Sequence, residues 1–225
     1  MSTVQVSVDD HVATLVMNRP ESMNALNRSM RNDLLAAVNE AVGNSEVKSI
    51  VITSSAKGFS SGSDLTEAEL IPDTYALLEE EYKPVFSAIL QSPKPIIAAV
   101  NGACAGIGAS LALTCDLVVM SENAFIFLAF AKIGLIPDGG TCWHLAQSIG
   151  TKRSFEVIAE GGRIDAQRCK ELGLVNRVVA NDALVPEAVQ WANQLNTVAP
   201  LSLKYSKFVL QQAMRMDLSD TMRLT

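Results

Sequence analysis

Three short stretches carry residue types at spacings that could do chemistry. The first is Gly58-Phe59-Ser60-Ser61-Gly62, which fits the G-x-S-x-G pattern of a nucleophile elbow, with Asp116 or Asp138 and then His144 following in hydrolase order. The elbow needs a strand running directly into its serine, but the apolar run Val47–Thr53 ends several residues earlier and no HGGG-type segment precedes it. The context argues against a serine hydrolase. The second is Gly106-Ile107-Gly108. A dinucleotide fingerprint wants a third glycine and an acidic residue about twenty positions on; here position 111 is Leu and Ala129 lies where the acid is expected. Two readings remain. The glycines allow close helix–strand packing, or they let the backbone approach a ligand with its N–H groups and the positive end of a helix.

The third stretch is Pro137-Asp138-Gly139-Gly140, just ahead of a helical pattern. By position Asp138 is an N-cap. Phe127, Phe130, Ile133, Ile136 and Trp143 lie close by in sequence, and a carboxylate walled by such groups has its pKa raised into the range useful for proton transfer. His11 falls in a hairpin turn and reads as a surface residue; His144 reads as a packed core histidine.

The elements that position these residues follow from periodicity. Val4, Val6 and Val8 alternate, Asp9-Asp10 turns the chain, and His11–Asn18 returns, a β-hairpin. After a loop over Arg19–Asn27, Met30, Leu34, Leu35, Val38, Ala41 and Val42 recur at helical spacing up to Gly43. Val47–Thr53 is a strand and Ser54–Asp64 a Ser/Gly loop. Thr74–Gln91 is helical with Pro84 as a break, and Ile96–Val100 is a strand framed by Pro93 and Pro95. A buried helix is expected over Gly106–Thr114, strands over Leu117–Met120 and Ala124–Leu128, and helices over Gly139–Ser148 and Thr151–Ala159. Asp165–Leu172 is a helix capped by Asp165 and ended by Gly173. Leu174–Val179 is a strand, and helices near Asp182–Leu195 and Leu201–Met216 close the chain. Alternating strands and helices make the class α/β, with an all-helical C-terminal part.

Composition narrows the function. The 225 residues fit one domain, or one with a small appendage, and 48% hydrophobic against 19% charged residues exclude disorder. Eighteen basic against twenty-four acidic residues leave a net charge of −6 with no block of Lys or Arg, so no nucleic-acid partner is expected. A few local cations could still serve a small anionic ligand. Cys104, Cys115, Cys142 and Cys169 form no C-x-x-C pair and are expected to be buried free thiols in a reducing compartment, with no bound metal. The N-terminus lacks signal-peptide anatomy. Ile96 to Cys115 is twenty residues without a charge, but its Asn, Gly, Ala, Ser and Thr content suits a strand, a glycine turn and a buried helix better than a membrane span. A cytoplasmic or organelle-matrix protein is expected.

Four segments in register carry a resemblance: Arg19-Pro20-Glu21-Ser22-Met23-Asn24-Ala25-Leu26, Phe59-Ser60-Ser61-Gly62-Ser63-Asp64-Leu65, Lys94-Pro95 through Asn101-Gly102 to Gly106-Ile107-Gly108, and Ala131-Lys132-Ile133-Gly134-Leu135-Ile136-Pro137-Asp138-Gly139-Gly140. Together with Gly173–Val179 they resemble the enoyl-CoA hydratase/isomerase (crotonase) superfamily over residues 4–215. The resemblance implies a spiral of ββα units over residues 1–195, followed by a C-terminal helical region, 196–225, that looks shortened beside the family pattern. It also implies an acyl-CoA thioester substrate, no permanently bound cofactor, and assembly as a homotrimer or dimer of trimers. By motif position the backbone N–H groups of Ser63 and Ile107 would hold the thioester oxygen. Met23, Ala25, Leu26, Ser61, Gly62, Ser63, Asp64, Leu65 and Gly106 would lie along the CoA substrate, and Phe130, Ile133 and Trp143 along the acyl group.

The same resemblance discriminates within the family. Hydratases like the type enzyme use two glutamates to handle water, and the matching positions here are Ser110 and Phe130. Asp138 stands where enoyl-CoA isomerases carry a single acid, and the run Phe130–Asp138 is similar to the epoxyphenylacetyl-CoA isomerase branch. The expectation is a proton-shuttling acyl-CoA isomerase. The alternatives are an enoyl-CoA hydratase, or a family member that binds acyl-CoA without turning it over.

Overall fold

A computed structural model describes residues 2–70 and 73–225; Met1, Ile71 and Pro72 lie outside the described residues. Strands β1 (Val4–Asp9) and β2 (Val12–Met17) pair antiparallel through a two-residue turn in which Asp10 and His11 both have positive φ, as the twist of a tight hairpin requires. His11 is exposed, as its place in that turn predicts. Helix α1 (Arg28–Gly43) starts at Asn27, whose side chain accepts from the Met30 N–H, and buries Met30, Leu34, Ala37, Val38 and Ala41 along one stripe. It leads into β3 (Ser49–Ser54).

The expected break at Pro84 takes an unexpected form. Helix α2 (Thr74–Ala76) runs through a π-helical turn, Leu77–Tyr82, into α3 (Lys83–Gln91). Proline has no N–H for an i→i−4 bond and its ring clashes with that carbonyl, so the chain widens by one residue ahead of Pro84 and continues. The uncharged twenty-residue stretch resolves into β4 (Ile96–Val100), β5 (Ala103–Ala105) and α4 (Ile107–Thr114). Among the described residues no helix is long and apolar enough to cross a membrane. Next come β6 (Leu117–Ser121), β7 (Phe125–Phe127) and α5 (Thr141–Glu160), which is two helical runs meeting at a non-helical Gly150 (φ 75°, ψ 163°), as the pattern predicts. Then follow β8 (Arg163–Asp165), α6 (Ala166–Glu171) with the anticipated Asp165 cap, and β9 (Arg177–Val179), only the end of the expected strand. Helices α7 (Leu184–Asn196), α8 (Pro200–Ala213) and α9 (Leu218–Met222) complete the chain.

Six strands form a sheet in the order β1-β2-β3-β4-β6-β9, parallel from β2 onward. A smaller sheet, β5-β7-β8, is extended by bridges from Ser60 to Cys104 and from Leu26 to Ser63. Successive turns of the chain thus place one strand in the large sheet, one extended piece in the small sheet, and then a helix. Ile50, Ile52, Ile96, Ala98 and Val100 face α1, α3 and α4 in the main core. Val51, Ile97, Ala99 and Val119 face the other way, onto Leu184, Ala188 and Ala192 of α7. Burial on both faces explains why these strands read as continuous apolar runs. Cys104, Cys115 and Cys169 are buried free thiols, their ionisation opposed by burial. Cys142 departs from expectation: it is exposed, on the outward side of the first turn of α5.

Candidate active site

The loop Met23–Leu26 and the loop Ser61–Leu65 form one surface. The Leu26 N–H donates to Gly62 O (2.8 Å) and the Ser61 N–H to Met23 O (3.0 Å). Arg19 ties both loops from behind, donating to Ala25 O (2.6 Å) and to the Asp64 carboxylate (3.0 Å). Asp64 is buried; the Thr66 hydroxyl, which donates to it, and Arg19 hold its carboxyl below the usual range. Asp64 is therefore an anchor of the loop. Ala25 and Leu26 are buried, whereas the side chains of Met23 and Leu65 stand exposed.

Gly62 brings this surface against the start of α4. Its φ is +98°, and a Cβ placed on it would meet Ala105 O at 2.9 Å and Gly106 Cα at 3.7 Å. Gly106 itself has φ +51° and ψ −130°, a combination that only glycine adopts readily. The residues immediately after these two glycines are Ser63 and Ile107. Neither backbone N–H has a hydrogen-bond partner among the described residues. Two free amides beside a helix N-terminus are the donor arrangement an oxyanion needs. Gly108 has the other duty weighed for these glycines, since a Cβ there would lie 2.7 Å from Ser60 Cβ.

That contact also closes the nucleophile-elbow reading. Ser60 is fully buried; its hydroxyl donates to Asn24 O (2.8 Å) and accepts from the Gly62 N–H (3.2 Å). His144 is buried too, with Nε2 on Thr114 Oγ1 (3.1 Å) and its protonation opposed by burial, which moves the pKa down to about 4.

Asp138 lies against the same helix end. Gly139 (φ +56°) packs so closely on α4 that an added Cβ would meet Ile107 Cγ1 at 2.7 Å and Ser110 Cβ at 3.0 Å. The hydroxyls of Ser110 and Thr141 touch each other and both reach Asp138 O, at 3.2 and 2.7 Å. The backbone of Asp138 is held this way, and its side chain is not. Its Oδ1 is buried without a hydrogen-bond partner, and burial pushes the carboxyl up to about 6, opposed only by its own backbone N–H. The N-cap of α5 is Gly140, which has no side chain, so Asp138 caps nothing.

The apolar wall differs from the one the sequence suggests. Ile133 and Ile136 are 65% and 85% exposed, because the Phe130–Ile133 turn and its left-handed Gly134 carry them outward. Phe130 is buried and its ring edge lies 3.7 Å from where a Gly106 Cβ would sit. A cavity of about 370 Å³ opens beside Gly139 and Gly140, between Tyr82 and Phe86 on one side and Trp143 and His144 on the other. Sequence reasoning missed Tyr82, which lay inside an ordinary helical pattern, and the hydroxyl pair Ser110–Thr141. The only signal for Tyr82 was Pro84 two residues on.

A sequence model of the family described as enoyl-CoA hydratase/isomerase matches residues 7–224. The chain belongs to the enoyl-CoA hydratase/isomerase family. It is 40% identical over 175 residues to a "Probable enoyl-CoA hydratase" of Rhodobacter capsulatus, covering 77% of this chain and 67% of that one. It is 32% identical over 218 residues to the 1,2-epoxyphenylacetyl-CoA isomerase of Escherichia coli, covering 95% and 83%. The crystal structure of an enoyl-CoA hydratase from Polaromonas sp. JS666 superposes with a TM-score of 0.92 at 34% identity, over 98% of this chain and 88% of that one. The two-sheet spiral is thus the crotonase fold, and the chain is an acyl-CoA enzyme of this family. Members of both reaction types stand among its relatives.

Proposed function

We propose that this chain is an acyl-CoA isomerase in which Asp138 moves a proton across a thioester enolate. The supporting observation is a carboxylate with one buried, unpartnered oxygen, packed on the helix end whose Ile107 N–H is free, across from the free Ser63 N–H. In this reading the two amides donate to the thioester oxygen. Asp138 takes a proton from carbon 2 of a 3-enoyl-CoA, the C–H pair moves into the dienolate, and the carboxylic acid returns the proton at carbon 4 to leave a 2-enoyl-CoA. Each oxyanion donor is worth about 2.7–4 kcal/mol in the transition state. Ser110 binds the Asp138 carbonyl and Phe130 packs on Gly106, so neither supplies the second carboxylate of a two-acid hydration.

The CoA part would run along Met23 and Leu65, and the acyl group into the cavity by Trp143. Exposed Leu201, Tyr205, Leu210, Leu218 and Met222 on α8 and α9 support assembly through this end, as a trimer.

Turnover of a 3-enoyl-CoA by wild type and Asp138→Asn tests the reading. A fall of about 10²–10⁴-fold is expected, and equal rates overturn it. Hydration by Asp138 alone is favoured by the description of the Rhodobacter relative. Release of 3-hydroxyacyl-CoA from a 2-enoyl-CoA would establish it in place of isomerisation.

A further inference from the structure

Tyr82 is buried at the end of the π-helical turn, and its hydroxyl is spent on the loop that carries the Ser63 amide. It donates to Leu26 O at 3.0 Å and lies 2.9 Å from Ser63 Oγ, so the serine hydroxyl is the donor in that second contact. Arg31, itself 2% exposed, sits 4.8 Å from the Tyr82 ring centre and also donates to Leu26 O. Glu67 and Glu81 fix the Arg31 guanidinium in turn. Leu26 O is therefore satisfied without Tyr82, whereas Ser63 Oγ has no other partner among the described residues.

The Ser63 amide needs such a tether. It follows Gly62, whose φ of +98° belongs to a residue that resists rotation less than any other. The Leu26–Ser63 bridge holds the peptide from one side, and the tyrosine hydroxyl holds the side chain from the other. The π-helical turn is what makes this reach possible. It shifts Tyr82 out of the register an uninterrupted helix from Thr74 would impose, and such turns recur at functional sites.

We propose that Tyr82 is a positioning residue that aims the Ser63 N–H at the thioester oxygen through the Ser63 hydroxyl. The inference rests on the oxyanion role given to Ser63 above. Tyr82→Phe keeps the ring beside Arg31 and removes the hydroxyl's contacts with Ser63 Oγ, Leu26 O and Arg31, whereas Ser63→Ala removes the Ser63 contact alone.

Acetoacetyl-CoA is the probe, since its ultraviolet enolate band reports the charge these amides would stabilise, with or without turnover. Wild type should lower the pH at which the bound probe ionises. Tyr82→Phe should move that pH back up by about 0.5–1, the equivalent of a 3- to 10-fold loss expected of one neutral hydrogen bond. It should also cut kcat for a 3-enoyl-CoA by a similar factor, with KM within about twofold. Ser63→Ala, which retains the N–H, should reproduce both changes, and the double variant should add nothing further. If Tyr82→Phe fails to fold, Ser63→Ala alone carries the test. Unchanged ionisation and kcat in the variants, or effects that add, overturn the positioning role and leave the oxyanion reading intact. No enolate stabilisation by wild type overturns both.

Discussion

A carboxyl at about 6 has consequences for rate and for stability, and they run in opposite directions. If Asp138 is the base proposed above it must be ionised, so kcat/KM for a 3-enoyl-CoA should rise with pH through about 6 and level off above it, and a pH–rate profile checks this. The folded state binds this proton more tightly than the unfolded chain, where the carboxyl returns to its ordinary value of 3.8. Its burial therefore costs nothing below about pH 4 and is fully unfavourable above about pH 6. The size of the shift corresponds to about 2–3 kcal/mol. Asp138→Asn should raise the urea midpoint at pH 7.5 and lose that advantage near pH 4. A gain in stability with a loss of turnover is the signature of a strained catalytic group, and an N-cap aspartate would show the reverse.

At the scale of elements, the site depends on how closely α4 is approached. Gly139 holds Asp138 down on Ile107 and Ser110 with room only for hydrogen, in a left-handed conformation. Gly139→Ala should lift the loop by a fraction of an ångström, destabilise by about 1–3 kcal/mol and lower kcat about 100-fold, since reacting groups tolerate little misplacement. Thermal melts beside kinetics separate the two effects. Most elements could be read from periodicity: α1 from its apolar stripe, α6 from Asp165 and Gly173, β3 and β4 from their Val and Ile runs. Strands β5 and β8 could not, because three residues are too few to show a period, and they exist only through pairing with β7. The π-helical turn was equally hidden, since a proline announces a break without saying what form the break takes.

Across the whole molecule, the C-terminal helices are the least buried part. No residue of α8 or α9 is buried, and their large apolar side chains face outward, although Lys207 reaches back to Asp116 and Gln211 donates to Leu90 O. A surface of this kind fits the trimer proposed above. Sedimentation should give three times the 24.1 kDa chain mass, and Leu210→Glu with Leu218→Glu should give a monomer.

What the residues determined by themselves was whatever depends on local chemistry. Gly106 and Gly108 announced a place where backbone must come close, alternating and helical periods announced the elements, and Asp138 stood out as an acid beside Gly-Gly. What only the tertiary structure decided was which surfaces those places meet. Ile133 and Ile136, neighbours of Asp138 in sequence, turn to the outside, while α4, some thirty residues earlier, packs against its backbone and Gly139. Tyr82, some twenty residues after Ser63, reaches its hydroxyl. Desolvation and hydrogen bonding act over a few ångströms of space, and distance along the chain does not report that separation.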